Sequence, residues 1–164
     1  MHHALLTLIT AVAVWLTVAG PATAAPPDGE GYRLSSGQTL YVPVYSNIFT
    51  GPKGLPFNLA AMLSIRNTDL QHPFKVTSID YYDTAGKLVR TYVTKPTTVA
   101  PLASTYIYLE ERDTKGGFGA NFIVRWQADR VINAPIIECV MIGATSGQGI
   151  SFVSPGQVIR EQAR

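Results

Sequence analysis

The sequence predicts an all-β protein: an immunoglobulin-like antiparallel β-sandwich of about eight to nine strands, preceded by a signal peptide. Three observations predict it. From Gln38 onward, apolar residues recur with period two, so that each short segment carries one apolar face. Glycine, proline, asparagine and aspartate interrupt these segments at short intervals. No segment beyond the first two dozen residues sustains a 3.6-residue period, and no internal repeat or low-complexity tract is present. Closure of the same strands into a barrel is the alternative.

The chain has 164 residues, which suits one domain. Residues 4–19 (ALLTLITAVAVWLTVA) are uncharged, Gly20 and Pro21 break the run, and Ala22-Thr23-Ala24 has the small-x-small pattern of a cleavage site. Residues 1–24 are therefore expected to be a signal peptide, although Met1, His2 and His3 offer none of the usual lysine or arginine. Retention as an anchor is the alternative. The run is shorter than the roughly 20 residues of a bilayer span, so no stable membrane span is expected after signal removal. The remaining organisation is a flexible segment over 25–37, a single sandwich over 38–159, and a tail over 160–164. Export without disulfides is implied, because Cys139 is the one cysteine. Thirteen lysines and arginines against 11 acids, interspersed, make no basic block, so nucleic acid is not an expected partner.

Element by element, Leu40, Val42 and Val44 share one face. Pro43 between them removes a ladder donor and suggests an edge or bulged strand. Residues 46–56 (SNIFTGPKGLP) hold two glycines and two prolines and read as a loop. Phe57, Leu59, Ala61, Leu63 and Ile65 alternate next, and "RNTD" closes that strand. In 74–82 the apolar parity changes between Val76 and Ile79, which predicts a bulge. Asp83-Thr84-Ala85-Gly86 has the residues of a type I turn, returning the chain into a hairpin strand over 87–93. Residues 104–110, 121–127, 135–142 and 149–154 supply the remaining strands, and the tail from Ile159 is charged.

The stretch "DTKGGFGANFIVRWQ" crowds three glycines ahead of an alternating run. A phosphate-cradling loop needs a helix after it, whose free N–H groups meet the anion. Here Phe122, Val124 and Trp126 lie on one face, with Asn121, Ile123, Arg125 and Gln127 on the other, which is strand periodicity. Gly116, Gly117 and Gly119 are thus expected to form a tight connection, with at least one at positive φ and Trp126 in the core.

"LSIRNTD", "SIDYYDTAGKLVRTY", "GGFGANFIVRW" and "IIECVMIGATSGQGISFVS" together resemble the bacterial exported domain-of-unknown-function family 3124 (DUF3124). The likeness runs from about Gln38 to Ile159 in one register. It implies an exported β-rich domain. It implies no reaction and brings no catalytic residue.

Residues that could carry chemistry are sparse. His72 is the one histidine beyond the signal region. Asp69 is close to it, but no serine has a nucleophile-elbow setting. His72, Cys139, Met62 and Met141 are types that copper sites use, but none is paired at ligand spacing. Cys139 and Met141 share a face with Ile137, which favours core packing. Glu138 interrupts that apolar run on the other parity and would need a partner if covered, with Arg125 and Arg66 as candidates. Glu110, Glu111 and Asp113 cluster at a strand end, where a solvated turn is the ordinary reading. Tyrosine is abundant, and Tyr106 and Tyr108 must share a face, so a partner-binding sheet surface is conceivable.

The expected function is therefore a non-enzymatic, periplasmic or secreted binding or envelope-associated module, with another envelope protein or a glycan as partner. Its candidate surface includes Tyr106, Tyr108, Asp113, Asn121, Arg125 and Glu138. No catalytic residue, metal site or cofactor is assigned. A periplasmic small-ligand or copper-type protein is the alternative, and a hydrolase with an acid pair comes third.

Overall fold

A computed structural model describes residues 33–162 apart from Ser146. The expected signal peptide lies outside these described residues. Twelve strands form: β1 (Leu34–Val44), β2 (Asn47–Thr50), β3 (Leu55–Asn58), β4 (Ala60–Arg66), β5 (Phe74–Tyr82), β6 (Leu88–Val93), β7 (Thr97–Val99), β8 (Ser104–Leu109), β9 (Ala120–Asn133), β10 (Ile136–Thr145), β11 (Gln148–Pro155) and β12 (Gln157–Glu161). One sheet runs β12-β1-β9-β5-β6, and β7 pairs with the earlier part of β5. A second runs β11-β10-β4-β8, and β2 with β3 makes a separate hairpin. All pairings are antiparallel.

The two larger sheets form a sandwich because each strand alternates apolar and polar residues, and the apolar faces exclude water only by meeting. From the larger sheet come Leu40, Val42 and Val44, then Phe122, Val124 and Trp126, then Phe74, Val76, Ile79 and Tyr81, all buried. The smaller sheet contributes Ala61, Leu63 and Ile65 from β4, and Ile137, Cys139 and Met141 from β10. Phe74 meets Trp126 edge-on at 5.5 Å between ring centroids. Among the described residues the Trp126 indole N–H has no hydrogen-bond partner.

Several expectations from the sequence hold. The β5 register shifts between Val76 and Ser78, in the span where the apolar parity changed. The Asp83–Gly86 turn closes through Gly86 N–H to the Asp83 carbonyl at 2.9 Å. Others need correction. The segment 46–56 is no plain loop, because Asn47–Thr50 and Leu55–Asn58 pair as a hairpin around its glycines and prolines. The strand expected from Phe57 is broken at Leu59, whose N–H turns to the Ser46 carbonyl at 2.9 Å.

Sheet structure also begins at Leu34, four residues ahead of the expected domain start, and β12 carries it on to Glu161 in the expected tail. β1 lies between β12 and β9 and is not an edge strand, but its register shifts between Ser35 and Gly37 and between Thr39 and Leu40, as a bulged strand's would. Pro43 is nevertheless accommodated, because β12 pairs no further along β1 than Tyr41. At Gly156 the last stretch of chain leaves the smaller sheet for the larger one. A Cβ there would meet the Ile137 carbonyl oxygen at 2.8 Å, so the crossing needs glycine.

Candidate functional site

The outer face of the smaller sheet presents the least ordinary surface. Antiparallel register places Tyr108 opposite Met62, Met62 opposite Val140, and Val140 opposite Val153. One apolar row thus crosses all four strands. Beside it runs a second row of Tyr106, Ser64, Glu138 and Pro155. Tyr106 is 65% exposed and Tyr108 56%. Met62, Val153, Ile136 and Ile142 on the same face are exposed too. An apolar row across a sheet face, with a tyrosine margin and polar residues such as Ser64 and Glu138 beside it, suits docking better than catalysis, because it offers broad contact and few polar groups that converge.

β8 is an edge of this sheet. Past it, Tyr108 borders an open groove of about 480 Å³ with Tyr92, Arg90, Arg112 and Asp113. Arg90 stands over the Tyr92 ring, 5.4 Å from its centroid. Burial pushes the Tyr92 phenol above its ordinary value, with Arg90 pulling the other way. Glu110 is paired with Arg112. At another margin, Glu138 borders a groove of about 550 Å³ with Arg33, Gln38 and Pro155, where the chain departs toward β12.

The six candidate residues divide between the sheets. Tyr106, Tyr108 and Glu138 come together on the smaller sheet, and Asp113 shares the groove with Tyr108. Asn121 and Arg125 project from β9 on the outer face of the larger sheet. There Arg125 Nη1 donates to Asp80 Oδ2 and to Ser78 Oγ, both at 2.8 Å. Arg125 is therefore not a neighbour of Glu138, since β9 and β10 lie in different sheets. Arg66 lies on the strand beside Glu138, but its Nε donates to Ser64 Oγ at 3.0 Å. In the sequence Met62 stands out only as a copper-type side chain, and Val140 and Val153 carry no signal of their own. Their outward parity was readable, but nothing local told that their strands would be neighbours.

The metal candidates do not converge. Cys139 and Met141 point into the core, Met62 points outward from the adjacent strand, and His72 lies in the turn before β5. Burial pushes the Cys139 thiol up to about 12. His72 Nδ1 lies 3.1 Å from Asp69 Oδ1, and its Nε2 lies 3.3 Å from Arg130 Nη1. The N–H groups of Gln71, Asn133 and His72 all donate to the Asp69 carboxylate, which holds its pKa down to about 2. Asn67 completes this turn. Its side-chain amide donates to the carbonyls of His72, Val99 and Ala100, and its oxygen accepts from Asp69 N–H. The Asp69–His72 pair thus has a structural task, which is to hold the crossing between the sheets. Among the described residues, no group of three or more His, Cys, Asp or Glu side chains could hold a metal ion.

The glycine loop joins β8 to β9 and is followed by a strand, as its periodicity predicted. Gly117 has φ 75°, so one glycine does occupy the left-handed region.

Fold and surface together define a class: an antiparallel β-sandwich whose candidate contacts lie on a sheet face. The chain belongs to the family described as Protein of unknown function (DUF3124), whose model matches residues 37–159. No curated protein matches the chain. Among solved structures it is similar to the crystal structure of Thermotoga maritima 1070, at 10% identity and a TM-score of 0.47, over 76% of this chain and 97% of that one.

Proposed function

We propose that this protein is an exported, non-enzymatic binding module that engages another envelope protein through the outer face of β11-β10-β4-β8. The observation that carries the reading is the row Tyr108, Met62, Val140 and Val153, apolar from one edge of the sheet to the other. The opposite face of the same strands already buries Ala61, Leu63, Ile65, Ile137, Cys139 and Met141 in the core, so the outward residues are not needed to fill it. Tyr106 and Tyr108 add rigid side chains with a polar tip, which favours partner contact at little entropic cost. Export is inferred from residues 1–24, and a glycan would be the other occupant of a tyrosine-lined face.

The test uses Tyr106→Ser combined with Val153→Asp, both on exposed positions. Capture of an envelope partner by the wild type, lost in the double variant at unchanged melting temperature, would support the reading. Equal capture by both proteins would remove it.

A further inference from the structure

β8 closes one side of the smaller sheet, and among the described residues it pairs with β4 alone. In an antiparallel ladder, alternate residues turn their N–H and C=O groups toward one neighbour and then the other. The far side of β8 therefore presents unpaired backbone groups. Its six residues, STYIYL, include no charge, no glycine and no proline. They pair with β4 over six successive positions without a register shift. The edge is also unfinished on its inner side. Ile107 is only partly buried, whereas Leu63, opposite it on β4, is fully buried.

Among the described residues, the other sheet margins each carry a feature that discourages strand addition. β12 holds Arg160 and Glu161, and its register against β1 shifts. β6 holds Arg90 and shifts register twice against β5. β7 has three residues, and β2 and β3 have four each. β11 holds Gly149 and ends in Pro155. β8 is the margin that combines β-branched and aromatic residues with an uncharged, unshifted edge.

We propose that the β8 edge is a strand-addition site for a second copy of this chain, which pairs with it antiparallel in a register centred on Ile107. Opposite residues in a sheet point to the same side, so a strand that pairs with itself must have its two-fold axis at a residue. Centring on Ile107 sets Tyr106 of each copy opposite Tyr108 of the other on the outer face. On the inner face Ile107 meets its own counterpart, and Thr105 meets Leu109. The strand is its own complement in this register, which favours a second copy over an unrelated strand. Aromatic pairs with aromatic, and Glu110 and Glu111 fall opposite Ser104 and Ala103, so no like charges meet. The contact is isologous and closes at two copies, joining two four-stranded sheets into one. It also consumes both unguarded edges, which would otherwise template open-ended association.

The test uses this protein alone, purified from the cells that produce it, so its outcome is separate from that of the partner reading above, on which the inference does not rest. Sedimentation equilibrium of the wild type should give a dimer that dissociates on dilution. Tyr106→Lys with Tyr108→Lys sets like charges opposite one another at both tyrosine pairs and should weaken dimerisation by about tenfold or more. Tyr106→Glu with Tyr108→Glu should do the same, and mixing the two variants should restore a dimer with one copy of each. Both positions are exposed, so the far-ultraviolet circular dichroism of each variant should match the wild type. Ile107→Cys, at the axis, reports the register independently. Mild oxidation should join two copies through position 107, while Thr105→Cys should stay unjoined, and the buried Cys139 takes no part. A monomeric wild type, a dimer that survives the lysine substitutions, or a mixture that stays monomeric would overturn the proposal. Bridging at 105 as readily as at 107 would overturn the register.

Discussion

The hydroxyl of Tyr81 sits where the β-carbon of residue 116 would stand if that residue were not glycine. Tyr81 is buried, and its hydroxyl is shared with Ser46 Oγ at 3.0 Å, so it has little freedom to withdraw. The glycine loop is therefore shaped by what it packs against as much as by its own backbone.

Alanine substitutions along the loop should rank accordingly. Gly116→Ala drives a methyl into Tyr81 and to within 2.7 Å of the Ala120 β-carbon. Gly117→Ala forces φ 75° on a residue with a side chain and presses on Thr84. Each should cost about 1 kcal/mol or more. Gly119→Ala, with Thr84 Cγ2 at 3.2 Å, should cost less. Denaturant unfolding of the three variants gives the order, and a nucleotide titration of the wild type should leave its melting temperature unchanged.

Cys139 should be inert. Its thiol is buried between the sheets and burial pushes it up to about 12, so little thiolate exists near neutral pH. A water-soluble thiol reagent should label it only after denaturation. Cys139→Ser, which places a hydroxyl among Ile137, Met141 and Leu63, should destabilise by about 1–3 kcal/mol.

Asp69 makes the fold acid-sensitive in a defined window. Donation from Gln71, Asn133 and His72 N–H lowers its pKa from the ordinary 3.8 to about 2. A carboxyl depressed on folding stabilises the protein above its unfolded value and loses that contribution as pH falls through the folded one. The stability gap between wild type and Asp69→Asn should be largest near neutral pH and shrink as pH falls from 3.8 through about 2. Urea unfolding of both proteins across that range measures it, and a constant gap would contradict the assignment.

Leu102 is a position where stability can be gained. It has φ 58°, a left-handed conformation unusual for a residue with a γ-branched side chain, and it is exposed. It follows Pro101 in a turn closed by Ala103 N–H to the Ala100 carbonyl at 3.0 Å. Leu102→Gly should raise unfolding free energy by up to about 1 kcal/mol, because the Cβ strain there exceeds the added chain entropy.

Strand faces were legible in the sequence, and strand neighbours were not. Side-chain parity is a local property with period two, so Ile137, Cys139 and Met141 could be placed on one face, and Trp126 with Val124, before any coordinates. Which strands lie side by side is set by long-range packing. Arg125 and Glu138, 13 residues apart in sequence, end in different sheets because the chain crosses between layers at Ala134 and Pro135. The apolar row on the outer face is hidden in the sequence for the same reason: Met62, Val140 and Val153 are ordinary singly and form a surface only once their strands pair. The β2–β3 hairpin was hidden by its own glycines and prolines, which dominate four-residue strands.

Photo-crosslinking most directly tests whether the outer face of β11-β10-β4-β8 is where this protein meets its partner. A photoreactive residue would replace Met62, at the centre of the apolar row, and in a second protein Ile123, outward on the larger sheet. Illumination of cells producing each protein should yield a discrete adduct from position 62, competed away by excess unlabelled wild type, and none from 123. Adducts of equal strength from both positions, or from 123 alone, would contradict the assignment of that face.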